Sequence, residues 1–251
     1  KAKGYADAAV ELELPFQNPS RWVLRGSSNL QGLELGLPAP FSKEADAQWP
    51  VSFEWSPEGS ADRRLLISLE NRGSLNMRFS EKERTEKGRK SSVLLPASGS
   101  IGIGMNAAPK PTGFDIAIAS PDMDVDAWMK IFSSADTGAR YAASKEEVLA
   151  ALKGEFVSQL SSVTLQTNTL RYDGEVFSNI DSTLRHIGRI WHVWLQSDAA
   201  SGQIEFSEPA RENEQPSLSM KLLRLHLPQT FESAVGEDIA SAPRNWLPNL
   251  D

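Results

Sequence analysis

Apolar and polar residues alternate with a period of two along most of this chain, the pattern that places every second side chain on one face of a β-strand. Val10-Glu11-Leu12-Glu13-Leu14 is the first clear case, followed by Trp22/Leu24, Leu33/Leu35/Leu37 and Val51/Phe53/Trp55, with turn formers such as Asn18-Pro19 and Gly26-Ser27-Ser28-Asn29 between them. Leu65/Ile67/Leu69 and Leu75/Met77/Phe79, separated by Asn71-Arg72-Gly73, predict a hairpin. Glu81 to Lys90 is dense in charges of both signs and reads as a solvated loop. Beyond it, Val93/Leu95, Ile101/Ile103/Met105 and Phe114/Ile116/Ile118 predict three further short strands.

The alternation breaks at about 124–153. There Asp124 or Asp126 is placed to cap a short helix through Ala127 to Phe132. A second helix over 144–153 has a Ser144/Glu147 capping box, an apolar stripe of Val148, Leu149 and Leu152, and Gly154 as its stop. Alternation returns through Val163/Leu165, Leu170/Tyr172, Val176, Trp191/Val193/Leu195, Ile204/Phe206 and Leu218/Met220/Leu222. Between Leu222 and Leu223 the apolar face flips, which calls for a β-bulge or for burial of both faces. The expected organisation is a first β-rich unit over 1–120, a helical insertion over 121–155, a second β-rich unit over 156–228 and a linker over 229–251. Short turns between strands predict a mainly β fold: an antiparallel, strongly twisted and curled meandering sheet, a groove built from two related units, with two short helices.

Composition narrows the function classes. With 26 Lys+Arg against 33 Asp+Glu the net charge is −7, which disfavours nucleic acid as a partner. The absence of Cys removes thiolate nucleophiles, thiolate metal sites and disulfides. No stretch approaches the roughly 18 apolar residues of a membrane-spanning helix. The start at Lys1-Ala2-Lys3-Gly4, without an initiator Met or signal-peptide apolar region, reads as part of something longer.

The search for chemistry returns little. No G-x-S-x-G elbow and no P-loop occur. Gly102-Ile103-Gly104-Met105-Asn106-Ala107 fits G-x-G-x-x-A, but Pro109 and Pro111 stand where a dinucleotide fold needs a helix. Asp122, Asp124 and Asp126 resemble the opening of a calcium loop, yet Ala127 replaces its glycine and Ser133 its closing Glu. His186, His192 and His226 lack zinc-site spacing. Seven Trp residues leave a sugar cleft with paired carboxylates open as an alternative, although Trp22, Trp55, Trp191 and Trp194 lie in strand patterns where core packing is the commoner reason. No catalytic, cofactor-binding or metal-ligating residue is expected.

Several segments together resemble the YhdP family of large AsmA-like, TamB-related proteins of Gram-negative bacteria. Ser28-Asn29-Leu30-Gln31-Gly32-Leu33-Glu34-Leu35-Gly36-Leu37-Pro38-Ala39-Pro40-Phe41-Ser42-Lys43 is the most specific, matching a recurring strand followed by LPAP. Asp124-Val125-Asp126-Ala127-Trp128, Ala200-Ser201-Gly202-Gln203-Ile204, Leu222-Leu223-Arg224-Leu225 and Ala242-Pro243-Arg244-Asn245-Trp246-Leu247-Pro248 agree in order and spacing. Asn245-Trp246, where an acidic residue is expected, and the charged run 81–90 depart from the pattern.

The resemblance implies a periplasmic section of an inner-membrane-anchored protein whose repeated β-units form an apolar groove for phospholipid transport towards the outer membrane. Its implied partners are phospholipid acyl chains and neighbouring repeats of the same chain, with membrane contact through other parts of the parent protein. A groove of this kind binds by apolar area, each buried CH₂ contributing about 0.8 kcal/mol, and needs no catalytic residue. The candidate lining is Leu33, Leu35, Leu37, Leu65, Ile67, Leu69, Val163, Leu165, Ile204, Phe206, Leu218, Met220 and Leu222, or else these residues pack a closed core. A carbohydrate-active enzyme and a structural or interaction module of the cell envelope are the alternatives.

Overall fold

The computed structural model describes residues 2–59, 61–86, 89–134, 159–209 and 215–225. The predicted helix 144–153, His226 and the linker 229–251 lie outside them. The described residues form fourteen strands and one α-helix. In chain order the strands are β1 Ala2–Gly4, β2 Ala9–Glu13, β3 Val23–Ser28, β4 Leu33–Leu35, β5 Val51–Glu58, β6 Asp62–Leu69, β7 Gly73–Glu86, β8 Arg89–Ile103 and β9 Gly113–Asp124. Helix α1, Val125–Ser134, is followed by β10 Leu160–Tyr172, β11 Glu175–Ile187, β12 Ile190–Gln196, β13 Ala200–Ser207 and β14 Ser217–Leu225.

Twelve strands make one sheet in the order β14-β13-β12-β11-β10-β9-β8-β7-β6-β5-β3-β2, and β1 pairs with β4 in a separate ribbon. The mainly β expectation holds, with three corrections. First, the sheet is mixed: β9 runs parallel to both neighbours, β8 and β10. Between β8 and β9 the segment 104–112 recrosses the sheet over Ser74 and Arg78 instead of turning back on itself, which makes that pair parallel. Second, the sheet is open, with edges at β2 and β14, and not strongly curled. Curling takes bulges, and only three register shifts occur among the described pairings, at Arg78/Phe79, Leu160/Ser162 and Ser201/Gly202. Third, the charged run 81–90 is not a loop along most of its length. Glu81–Glu86 continues β7 and pairs with β8, so Val93/Leu95 and Ile101/Ile103 belong to one strand. The β6 ladder ends at Asp62 opposite Ser80 and the β9 ladder begins at Ser98, so this hairpin extends past its neighbours as a two-stranded arm.

Other expectations are met. The hairpin at Asn71 joins β6 to β7, with Asn71 at φ 55°. The face flip after Leu222 is a bulge: Gly202 pairs with Leu222 and Ser201 with Arg224, leaving Leu223 outside the ladder and 82% exposed. Helix α1 is capped as predicted, the Asp124 carboxylate accepting the Ala127 N–H at 2.7 Å.

The core is small. Trp49, Met77, Phe114, Ile180 and Trp191 are the buried large apolar side chains. Met77 and Phe114 flank Gly99 on adjacent strands at the sheet centre. Trp49 closes one end of the sheet, its amide donating to Asn29 and its ring under the Arg72 guanidinium at 4.0 Å.

Candidate functional site

Cross-strand register assembles the alternation into continuous rows on one face of the sheet. One row takes a side chain from every strand: Val10, Gly26, Phe53, Ile67, Leu75, Ile101, Ile116, Val163, Leu184, Val193, Ile204 and Met220. Its one gap, Gly26, lies against the Phe53 ring, which occupies the space of the missing side chain. A second row runs Val51, Leu69, Gly73, Ile103, Ile118, Leu165, Ser182, Leu195, Gly202 and Leu222. On the other side of the first row stand Leu12, Leu24, Trp55, Leu65, Met77, Gly99 and Phe114, and further along Trp191, Phe206 and Leu218. At about 4.8 Å per strand this apolar band is about 53 Å long.

Most of these side chains are half-buried. In the third row Met77, Phe114 and Trp191 are buried, whereas across the band Val10, Leu12, Phe206, Leu218 and Met220 towards the two edges are exposed. An apolar face of this extent that is only partly buried marks a surface that meets something apolar.

Ten of the thirteen predicted lining residues share this face: Leu65, Ile67, Leu69, Val163, Leu165, Ile204, Phe206, Leu218, Met220 and Leu222. The other three do not. Leu33 and Leu35 belong to β4 in the separate ribbon, and Leu37 follows it in a loop. That loop has another partner: the Trp128 indole N–H of α1 donates to the Ala39 carbonyl at 3.0 Å, and the Phe41 and Trp128 rings meet edge to face at 6.0 Å. Lys43, 2% exposed, ties the same loop together by donating to the Leu33 and Glu44 carbonyls at 2.7 and 3.0 Å. Phe53, Leu75, Ile101, Ile116, Leu184 and Val193 share the row without being among the predicted candidates. All were visible as alternating apolar positions, but only register puts them in one row.

The opposite face is polar. Its rows run Glu11, Arg25, Glu54, Leu66, Asn76, Ser100, Asp115, Ser162, Arg185, His192, Glu205, and Ser27, Ser52, Ser68, Ser74, Gly102, Ala117, Thr164, Thr183, Trp194, Gln203, Lys221. The 104–112 segment crosses this face, with the Ala107 N–H donating to Ser74 Oγ at 2.9 Å and Arg78 reaching the Pro111 carbonyl at 3.2 Å. Gly102 lies directly beneath, where a Cβ would collide with the Met105 carbonyl oxygen. The glycines of the G-x-G-x-x-A match therefore serve a strand end and a crossover. Arg25 bridges Glu13 and Glu54 at 3.0 Å each, and these hydrogen-bonded carboxylates raise its pKa further.

The three aspartates at the end of β9 and the start of α1 diverge. Asp122 pairs with Arg171 at 2.8 Å, Asp124 caps α1, and Asp126 accepts the Asp173 and Gly174 amides at 2.8 and 3.0 Å. Those amide bonds, from Gly174 first and Asp173 second, hold the Asp126 carboxyl below the ordinary range. No cluster of potential metal ligands forms among the described residues.

A family model described as YhdP protein matches residues 1–251, so this chain belongs to the YhdP family, a family of bacterial envelope proteins. No curated protein and no solved structure matches it. No helix among the described residues is long and apolar enough to cross a membrane.

Proposed function

We propose that the apolar face is the working surface, sheltering the acyl chains of phospholipids as one section of a longer, inner-membrane-anchored periplasmic protein that passes lipid between the inner and outer membranes. The observation that carries this reading is the row of one residue per strand across the whole twelve-stranded sheet, apolar at every position but Gly26 and for the most part only half-buried. A chain of CH₂ groups is recognised by area alone, so the site takes no nucleophile, acid–base pair, metal or cofactor, and the protein acts as a binding module without turnover.

Photo-crosslinking in the parent protein tests this. With p-benzoylphenylalanine placed in turn at Ile116, Leu184 and Val193 on the apolar face and at Arg185 and Glu205 on the polar face, irradiation of growing cells is expected to give phospholipid adducts at the first three positions only. Adducts on both faces alike, or protein adducts alone on the apolar face, overturn it.

A further inference from the structure

On the polar face, β12 carries an aromatic side chain that no core accounts for. Trp194 occupies the row Thr183, Trp194, Gln203, Lys221 and is 37% exposed. The adjacent row on one side is Arg185, His192, Glu205. From there the His192 ring stacks on the indole, centroids 5.8 Å apart and planes 23° from parallel, and the Arg185 guanidinium lies 5.9 Å from the ring centroid. His192 is itself held by Glu205 at 3.2 Å. The adjacent row on the other side includes Asp181 and Gln196, and these with Thr183, Trp194, Gln203 and Lys221, together with Leu223 and Arg224 at the bulge, line a cavity of about 700 Å³. Arg185, His192 and Glu205 take no part in that lining. One side of the indole is thus propped, and the other is turned to an open cavity with both polar and apolar lining.

This chemistry selects among ligands. An acyl chain would bury the carboxylate, two amides and an ammonium group without partners, which is costly. A small anion would meet Lys221 but also the Asp181 carboxylate, and the Arg224 guanidinium is already donating to the Ser197 carbonyl. A pyranose ring fits both parts of the site: its C–H face packs on an aromatic face, whose quadrupole favours the positive C–H edge. Its hydroxyls both donate and accept, as the Gln196 and Gln203 amides and the Thr183 hydroxyl do, while Asp181 accepts and Lys221 donates. We propose that the Trp194 cavity is a saccharide-binding site that takes a pyranose unit of a glycan on the face opposite the apolar band. This proposal stands independently of the lipid reading.

The purified chain is titrated with a β-1,4-linked N-acetylglucosamine tetrasaccharide and with maltotetraose, following tryptophan indole and backbone amide shifts by NMR. The expected result is a saturable shift of the Trp194 indole and of the Thr183 and Gln203 amides with at least one of the two. Trp194→Ala is expected to weaken binding at least about tenfold and Gln203→Ala about threefold, whereas Trp194→Phe keeps most of it. Because Gln203 is exposed, its variant reads out binding even if Trp194→Ala folds poorly. The proposal is overturned by no saturable shift with either saccharide up to about 10 mM, by binding that Gln203→Ala and Trp194→Ala both leave untouched while moving shifts elsewhere, or by a response at Trp194 to phosphatidylglycerol alone.

Discussion

The strands β2, β3 and β5 to β8 and the strands β10 to β14 present the same apolar face but differ in what lies behind it. Behind the first set, the 104–112 segment crosses the polar face near Ser74 and Gly102, and Ser98 and Ser100 are 0% and 1% exposed. Behind the second set no described element crosses: Gln203, Glu205, Ser219 and Lys221 are exposed, and so is most of β14. The apolar face is itself uneven. Phe114 near the sheet centre is 3% exposed and Trp191 in β12 is 8% exposed, while Phe206, paired with Trp191 one strand further out, is 39% exposed. Cover on the polar face does not reach these side chains, so their burial follows their neighbours on the apolar face and falls off towards β14.

Removing the two phenylalanines measures that contrast directly. Phe114→Ala is expected to cost about 3–5 kcal/mol, the range for emptying a closed aromatic site, and Phe206→Ala less than about 1.5 kcal/mol. Denaturant unfolding followed by fluorescence checks both, and equal losses would show that the halves are equally packed. Gly102→Val attacks the cover itself. Its side chain would meet the Met105 carbonyl and the Ala107 nitrogen, so a loss of about 2–3 kcal/mol is expected, together with faster hydrogen exchange at the Ala107 amide and unchanged exchange in β12 and β13. Faster exchange throughout both halves would mean that the crossover supports the whole sheet.

The smallest effect lies at the seam between the halves, where α1 meets the β10–β11 turn through Asp126. Since the folded-state pKa of this carboxyl is lowered, its contribution is present above the unfolded value near 4 and is lost as the pH falls through the lower folded value. Asp126→Asn is thus expected to melt slightly below the unsubstituted protein at pH 7, with the difference shrinking as the pH falls below about 4. A difference that persists in acid would assign the effect to packing instead.

Alternation alone made nearly every strand of the large sheet legible, as well as the turn at Asn71 and the bulge at Leu223, because each is written in a few neighbouring residues. The family was equally legible: two of the segments that carry the resemblance, the LPAP loop and the Asp-Val-Asp-Ala-Trp helix start, meet in space through Trp128 and Ala39. Three things were not legible. Strand direction at β9 depends on the path of the 104–112 segment over Ser74, a contact of 33 residues' separation. The arm from Glu81 is a strand because β8 pairs with it, whatever its charge density. Leu33 and Leu35 alternate like any lining residue but pair with β1, and nothing in their own segment distinguishes one sheet from another. The Trp194 cavity shows the same limit, since period two assigns Trp194 to the face opposite Trp191 and Val193 but gives no neighbours across the ladder.

The parallel trio β8-β9-β10 also orders events in time. Adjacent antiparallel strands close through short turns, whereas β9 gains its β10 ladder only when Asp124 and Leu160 are brought to the same sheet across the intervening chain. Closing long loops is the slow part of assembling a sheet, so the two meanders are expected to form early and their union through β9 to set the rate. Substitutions at Ile116 and Ile118 should then slow refolding, while those at Leu218 and Met220 on the far edge should mainly speed unfolding. A single strand would thereby act as the kinetic hinge on which one half of the molecule finds the other.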